Sequence, residues 1–298
     1  MIDYISIIDY IDKKLTIVMA KQSNAIEEVS RLASIDWDEV QDYENRYSEQ
    51  DHKTFAYLVK AIDEVWPGRV HPEIIKGSEK IWPEKDRIPR LSVLSKRLQE
   101  ISNFRYYYSE DVTPDDVLFA GYARRMFPST LYLRSWEERD YTPKPDNFHE
   151  GPFGHGAALS LTPFADVSQV AGLAVEQGFN FDIKVMQAMD FIHWYMVEFI
   201  LNLDKHDNLW IVGPGILSSP EECIYSLESP NVRHHEIKIE KIFETFDHML
   251  STPKEIYHKQ DDLWVIGSFK DFQKSLTVKL PEYLEKKTGA KMKKRIKL

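Results

Sequence analysis

The sequence is poor in cysteine, in basic charge and in long apolar runs. Cys223 is the single cysteine in 298 residues, so no intramolecular disulfide can form. That fits a reducing compartment, and a cytoplasmic location is expected. Acidic residues outnumber basic ones, 48 to 38, for a formal charge of −10. Without a basic face, generic binding to nucleic acid is not expected. No stretch approaches the roughly 18 uninterrupted apolar residues of a membrane span. The opening MIDYISIIDYIDKKL has no positive leader, and Asp3 and Asp9 break its apolar run, so no signal peptide is expected either.

What is present suits a folded, water-exposed protein. Hydrophobic residues make up 43% and charged residues 29%, the profile of a globular enzyme or binding protein with ample core material. One charge run stands apart. The final 13 residues, KKTGAKMKKRIKL, hold seven basic side chains and no acid. They read as a solvated, frayed tail, with an anionic partner or surface as the sharper alternative.

Apolar spacing predicts helices over 24–33, 48–66, 71–82 and 91–101. Ser48 is a capping residue, and Phe55, Leu58, Val59, Ile62 and Val65 then form one stripe. A short strand is expected at 104–108. Thr113-Pro114-Asp115-Asp116 reads as a helix start, with proline in the first position, running to Met126. Two long helices are predicted over 163–177 and 182–202. Short strands follow at 209–212, 235–239 and 263–266, and a closing helix at 268–280. The fold class is therefore mainly α with small β elements. The expected divisions are an N-terminal helical extension (1–45), one catalytic domain (46–285) and the basic tail (286–298).

The motif that carries chemistry is FHEGPFGH, at 148–155. Imidazole and carboxylate are good donors for first-row metals. His149 and His155 do not fit the zinc-protease HExxH pattern, which sets two histidines four apart on one helix face. Six residues on a straight helix would turn the side chains about 120° apart. The pair converges only if the backbone bends, and Gly151-Pro152 permits that. A lone acid, Glu198, sits in the aromatic run HWYMVEF. Burial of an unpaired carboxylate there is costly, so it is either a metal ligand or the partner of a buried Arg or Lys. Two histidines and one carboxylate would make the facial triad of non-haem Fe(II) oxygenases. GPGILSS at 213–219 lacks the lysine of a phosphate loop, and Cys223 has no setting for a nucleophile.

Several motifs in one order then carry a resemblance. They are DRIPRL (86–91), FAGYARRMFP (119–128), YLR (132–134), YTPKPDNFHE (141–150), GH (154–155), PFAD (163–166), VEF (197–199) and GPGILSS. The chain resembles the pterin-dependent aromatic amino acid hydroxylases over residues 48–280, and looks most like their short bacterial phenylalanine 4-hydroxylases. The resemblance implies an aromatic amino acid hydroxylase-like catalytic domain. It implies a monooxygenase in which Fe(II) and a tetrahydropterin share the reduction of O2 while the ring of Phe, Tyr or Trp is hydroxylated. By that resemblance His149, His155 and Glu198 hold iron, and Arg134 clamps the substrate carboxylate. Thr142, Asp146, Trp194 and Ser218 surround the substrate, and Glu150 and Ser218 serve the chemistry. Glu150, Leu118 and His193 flank the pterin. A monomer is implied, with no nucleic acid and no membrane as partner.

The sequence departs from the family in places. The stretch between the iron histidines is one residue longer than the family's HExxGH. Asp111 stands where a cofactor-loop glycine is usual, and Leu118 where a phenylalanine stacks on the pterin. His193 replaces a tyrosine, and Met196 and Ile200 replace smaller residues beside Glu198. A diverged oxygenase of the same fold, with another aromatic substrate and altered pterin use, is the alternative. A binding protein that keeps the scaffold without catalysis is a third.

Overall fold

The structure, a computed structural model, describes residues 25–298 except 140–143 and 255–257. Thr142 and the first 24 residues therefore lie outside the described residues. α1 (Ala25–Ala33) lays Ala25 and Val29 into the core. α2 (Trp37–Gln41) and α3 (Tyr43–Arg46) are stitched to the DRIPRL turn. Gln41 donates to the Pro89 carbonyl at 2.9 Å and accepts the Leu91 N–H at 3.0 Å. The Tyr43 hydroxyl donates to the Ile88 carbonyl at 2.6 Å.

α4 (Glu49–Val65) starts where the sequence places it. Ser48 and Asp51 form a capping box, an arrangement that stabilises a helix by about 1 kcal/mol. Phe55, Leu58, Val59 and Ile62 are buried on one face, with Val65 at its edge. α5 (Pro72–Ile81) and α6 (Leu91–Ser102) follow, and α6 ends at Asn103 in a left-handed conformation, φ 62°.

β1 (Arg105–Tyr108) leads to α7 (Asp115–Ala123), which differs from expectation at both ends. Pro114 occupies the cap itself. The helix stops at Ala123, because Arg125 turns left-handed at φ 53° and Met126 opens β2 (Met126–Ser129). β2 pairs in parallel with β1, Arg105 opposite Met126 and Tyr108 opposite Ser129. That long-range pairing, invisible to helical periodicity, overrides it.

α8 (Asn147–Glu150) and α9 (His155–Ser160) are short. α10 (Thr162–Leu173) runs into a π-helical turn, Ala174–Gly178. α11 (Ile183–His193) does the same at Trp194–Glu198, where the Phe199 N–H reaches back five residues to the Trp194 carbonyl at 3.1 Å. The expected single helix over 182–202 thus ends early, and 200–202 belong to β3 (Ile200–Leu203).

β4 (Leu209–Ile211), α12 (Pro214–Leu217), α13 (Pro220–Glu228) and β5 (Arg233–Glu236) come next. β5 starts two residues and ends three residues earlier than predicted, in register with β6 and with Arg233 and His235 both paired to Asp262. A 3₁₀ turn (Ile239–Lys241), α14 (Ile242–Ser251), β6 (Asp262–Ile266) and α15 (Phe269–Thr288) complete the described chain. The sheet order is β4-β3-β6-β5, with β3–β4 antiparallel and the other pairs parallel. α15 continues past Pro281 to Thr288, eight residues beyond the predicted end. The tail is not frayed. Ile296 is buried, and the Lys293 N–H donates to the Gly178 carbonyl at 2.6 Å.

α7 packs on α10, and α10 on α15. This places the helices that bear the site around one apolar core, to which both small sheets contribute buried residues such as Phe127 and Trp264. No single helix among the described residues is long and apolar enough to cross a membrane.

Candidate active site

Asp146 starts the site. Its Oδ1 accepts the His149 N–H at 3.0 Å and caps α8, which fixes the direction of the His149 side chain. α9 begins at His155. The π-helical turn after α11 ends on Glu198. Such turns add a residue to the helical count and recur at functional sites. Here it carries Glu198 toward both histidines. One donor atom from each of His149, His155 and Glu198 falls within 4.8 Å of the others. His155 Nε2 lies 3.2 Å from Glu198 Oε2, and His193 Nε2 lies 3.9 Å from Oε1. The partners recorded for Glu198 are thus imidazoles, and no lysine or arginine pairs with it among the described residues. Of the two readings open at the sequence level, this geometry fits the metal ligand and not the partner of a buried Arg or Lys.

The protonation states suit a cation. Burial lowers the pKa of His149 to about 4, aided by His155, so its imidazole is neutral and able to ligate. Burial alone would raise Glu198, but the charge and hydrogen bond of His155 outweigh it and hold the carboxyl at about 2. His149 Nδ1 shares a 2.7 Å hydrogen bond with Ser218 Oγ, just past α12. With Nε2 free for a metal, Nδ1–H donates to Ser218, the outer contact that orients a ligating histidine. Two nitrogens and one carboxylate oxygen match Fe(II), so the residues fit that metal.

Arg134 and Asp146 are both buried. The arginine donates twice to the acid, Nε to Oδ2 at 2.7 Å and Nη2 to Oδ1 at 3.1 Å. Burial opposes ionisation of Asp146, yet the Arg134 guanidinium holds the carboxyl below its ordinary range. Arg134 Nη1 takes no part in this fork and has no hydrogen bond among the described residues. Trp194 is half-buried and pinned. Its Nε1–H donates to Gln260 Oε1 at 3.1 Å, Lys254 Nζ lies 4.8 Å over its ring, and Phe199 packs 4.7 Å away.

Glu150 is buried, and Thr130 N–H donates to its Oε2 at 2.6 Å. Burial raises its pKa to about 8 against that hydrogen bond. His193 is buried against α7. It shares a 3.2 Å hydrogen bond with the Tyr122 hydroxyl and packs edge-on to Phe119. Burial lowers its pKa to about 4 against the pull of Glu198. Leu118 makes none of these contacts. It lies half-buried against the core on the same helix.

Sequence reading missed three residues. Phe127 stacks on His155 with centroids 4.1 Å apart, Tyr122 holds His193, and Gln260 holds Trp194. Phe127 and Tyr122 lie inside the quoted FAGYARRMFP motif, which marked the segment without assigning their contacts.

Comparison with known proteins agrees with this geometry. Residues 34–292 match the family described as biopterin-dependent aromatic amino acid hydroxylase. The chain belongs to that family. This hydroxylase is 33% identical to phenylalanine-4-hydroxylase of Chromobacterium violaceum, over 76% of its own length and 72% of the relative's. It is similar to two solved structures of phenylalanine hydroxylase from that organism. One, with bound iron(III) and oxidised 7,8-dihydrobiopterin, has a TM-score of 0.71 at 28% identity, covering 86% of this chain and 88% of that one. The other, with iron and phenylalanine bound, also has 0.71 at 28%, covering 84% and 87%. The hydroxylase is accordingly an iron-dependent monooxygenase of aromatic amino acids that uses a biopterin cofactor. Altered pterin use is not favoured by this kinship, whatever Leu118 and His193 replace.

Proposed function

We propose that the hydroxylase acts on phenylalanine, adding one oxygen atom of O2 to its ring, with His149, His155 and Glu198 as the iron ligands. The observation that carries this reading is the double duty of Asp146. One carboxylate holds the Arg134 fork and also the backbone of the first metal ligand. A substrate clamped through its carboxylate by the guanidinium is thereby tied to the metal position through a single residue.

In this reading Nη1 and the rim of the Arg134 fork take the substrate carboxylate, with Thr142 and Ser218 beside the substrate. Trp194, fixed by Gln260 and Lys254, forms a rigid wall for the ring. Glu150, Leu118 and His193 border the pterin. Bound Fe(II) and tetrahydropterin supply the electrons that activate O2. The chain's own share is to hold three donors on one face, to keep Glu150 able to carry a proton, and to exclude water with the buried aromatics around it. The enzyme is further proposed to act as a cytoplasmic monomer, with residues 1–45 as an extension, 46–285 as the catalytic domain and 286–298 as a basic tail.

The test is anaerobic reconstitution with Fe(II), followed by Phe, Tyr or Trp with O2, each with and without tetrahydropterin, and mass analysis of products. A product 16 mass units heavier, fastest with Phe and dependent on pterin, is expected. Iron bound without pterin-dependent product from any of the three would overturn the reading.

A further inference from the structure

The two histidines are held by different physics. His149 has the outer hydrogen bond that ligating histidines almost always make, here to Ser218. His155 does not. Its Nε2 faces Glu198, and its Nδ1 is buried with no hydrogen-bond partner among the described residues. What fixes the His155 ring is Phe127, stacked on it at 4.1 Å and 21°. Phe127 is itself immobilised. It sits in β2 opposite Tyr106, with the Tyr122 ring 5.8 Å and the Tyr106 ring 6.4 Å away.

The backbone of His155 is fixed from the other side by the turn that absorbs the extra residue. The Ser78 hydroxyl donates to the Pro152 carbonyl at 2.6 Å, and the Gly156 N–H to the Gly151 carbonyl at 2.8 Å. Phe153 is the anchor. It stacks on Phe148 at 4.9 Å and lies 5.9 Å from both Phe55 and Trp66. The turn is too tight for side chains at its glycines. A Cβ at Gly151 would meet the Asn147 carbonyl oxygen at 2.2 Å, and one at Gly154 the His149 carbonyl oxygen at 2.0 Å. The longer spacing is therefore a built turn whose added length buries an aromatic ring.

We infer that Phe127 and Phe153 are positioning residues for the second metal ligand, aiming His155 by packing where His149 is aimed by a hydrogen bond. The inference rests on the reading of the triad as the metal site. Aromatic stacking restricts the imidazole to one plane, and the buried Phe153 sets the height from which it projects. Removal of either ring frees the ligand to rotate or sink, so binding must re-order it. The loss should resemble that of a missing outer hydrogen bond.

The experiment is a Co(II) titration of metal-free protein, reading affinity and the visible d–d bands, with thermal melts in parallel. Phe127→Leu is expected to weaken Co(II) about tenfold and to shift the bands. Phe153→Leu and Ser78→Ala, which act on the turn without touching the ring, should weaken it several-fold. Phe246→Leu, on α14, removes an equally buried ring from another part of the core. It should lower the melting temperature while leaving affinity and bands unchanged. Wild-type affinity and bands in Phe127→Leu overturn the proposal, even if its melting temperature falls. If that variant does not fold, wild-type affinity in both Phe153→Leu and Ser78→Ala overturns it instead. Failure of the wild type to bind Co(II), or His149→Ala binding as well as wild type, overturns the metal reading itself.

Discussion

Asp146 grips Arg134 through both carboxylate oxygens, and both side chains are buried. Both charges are largely desolvated, so each depends on the other. Asp146→Ala leaves a buried guanidinium unpaired and removes the cap of α8. A loss of about 3–5 kcal/mol is expected in denaturant unfolding. A loss under 1 kcal/mol would mean that water reaches Arg134 and that the fork is not a closed clamp.

Ser218→Ala deletes the acceptor on His149 Nδ1, which is placed just beyond a four-residue helix. Iron affinity should fall about 10- to 100-fold. Competition against a chelator of known strength reads this directly. Equal affinity in the variant would show that α8 and Asp146 suffice to aim the ring.

Leu118→Phe would place an aromatic face at the position proposed to border the pterin. Such a stack is worth about 0.5–1.5 kcal/mol beyond burial. The KM for tetrahydropterin should drop about 2- to 10-fold, with the KM for the amino acid unchanged. An unchanged pterin KM would place the cofactor ring away from this side chain.

Glu222, on α13, supplies a pH dependence of stability. Burial pushes its pKa up to about 7 from an ordinary 4.5, against the pull of Lys259. Between those values the native state keeps a proton that the unfolded chain releases. Stability therefore falls as pH rises through that window. Glu222→Gln cannot ionise. Its melting temperature should match wild type near pH 4 and exceed it by a margin that grows up to about pH 7 and then levels off. A margin that is constant or shrinks with pH over that window would refute the assignment.

The legible parts of this chain were those set by neighbours in sequence. Ser48 and Asp51 make their capping box, and the stripe from Phe55 to Ile62 lies in the core. His149, His155 and Glu198 also converge as the resemblance implied. What stayed hidden depends on distant partners. Met126 has helical neighbours but pairs with Arg105, and Ile200 continues an apolar helix pattern but pairs with Trp264. The contact of Phe127 with His155 needs the same parallel pairing to exist. The basic tail reads as frayed because charge dominates it, yet Ile296 is buried and the Lys293 N–H bonds the Gly178 carbonyl.

The π-helical turn at Trp194–Glu198 has a consequence for what the gene can tolerate. Restoring a plain α-helical count by deleting one residue between Tyr195 and Val197 would rotate Glu198 about 100° away from the histidines. A conservative replacement at those same positions keeps the aim. Length, more than side-chain identity, is the inherited quantity there, and a lost codon would be a harsher lesion than almost any missense change.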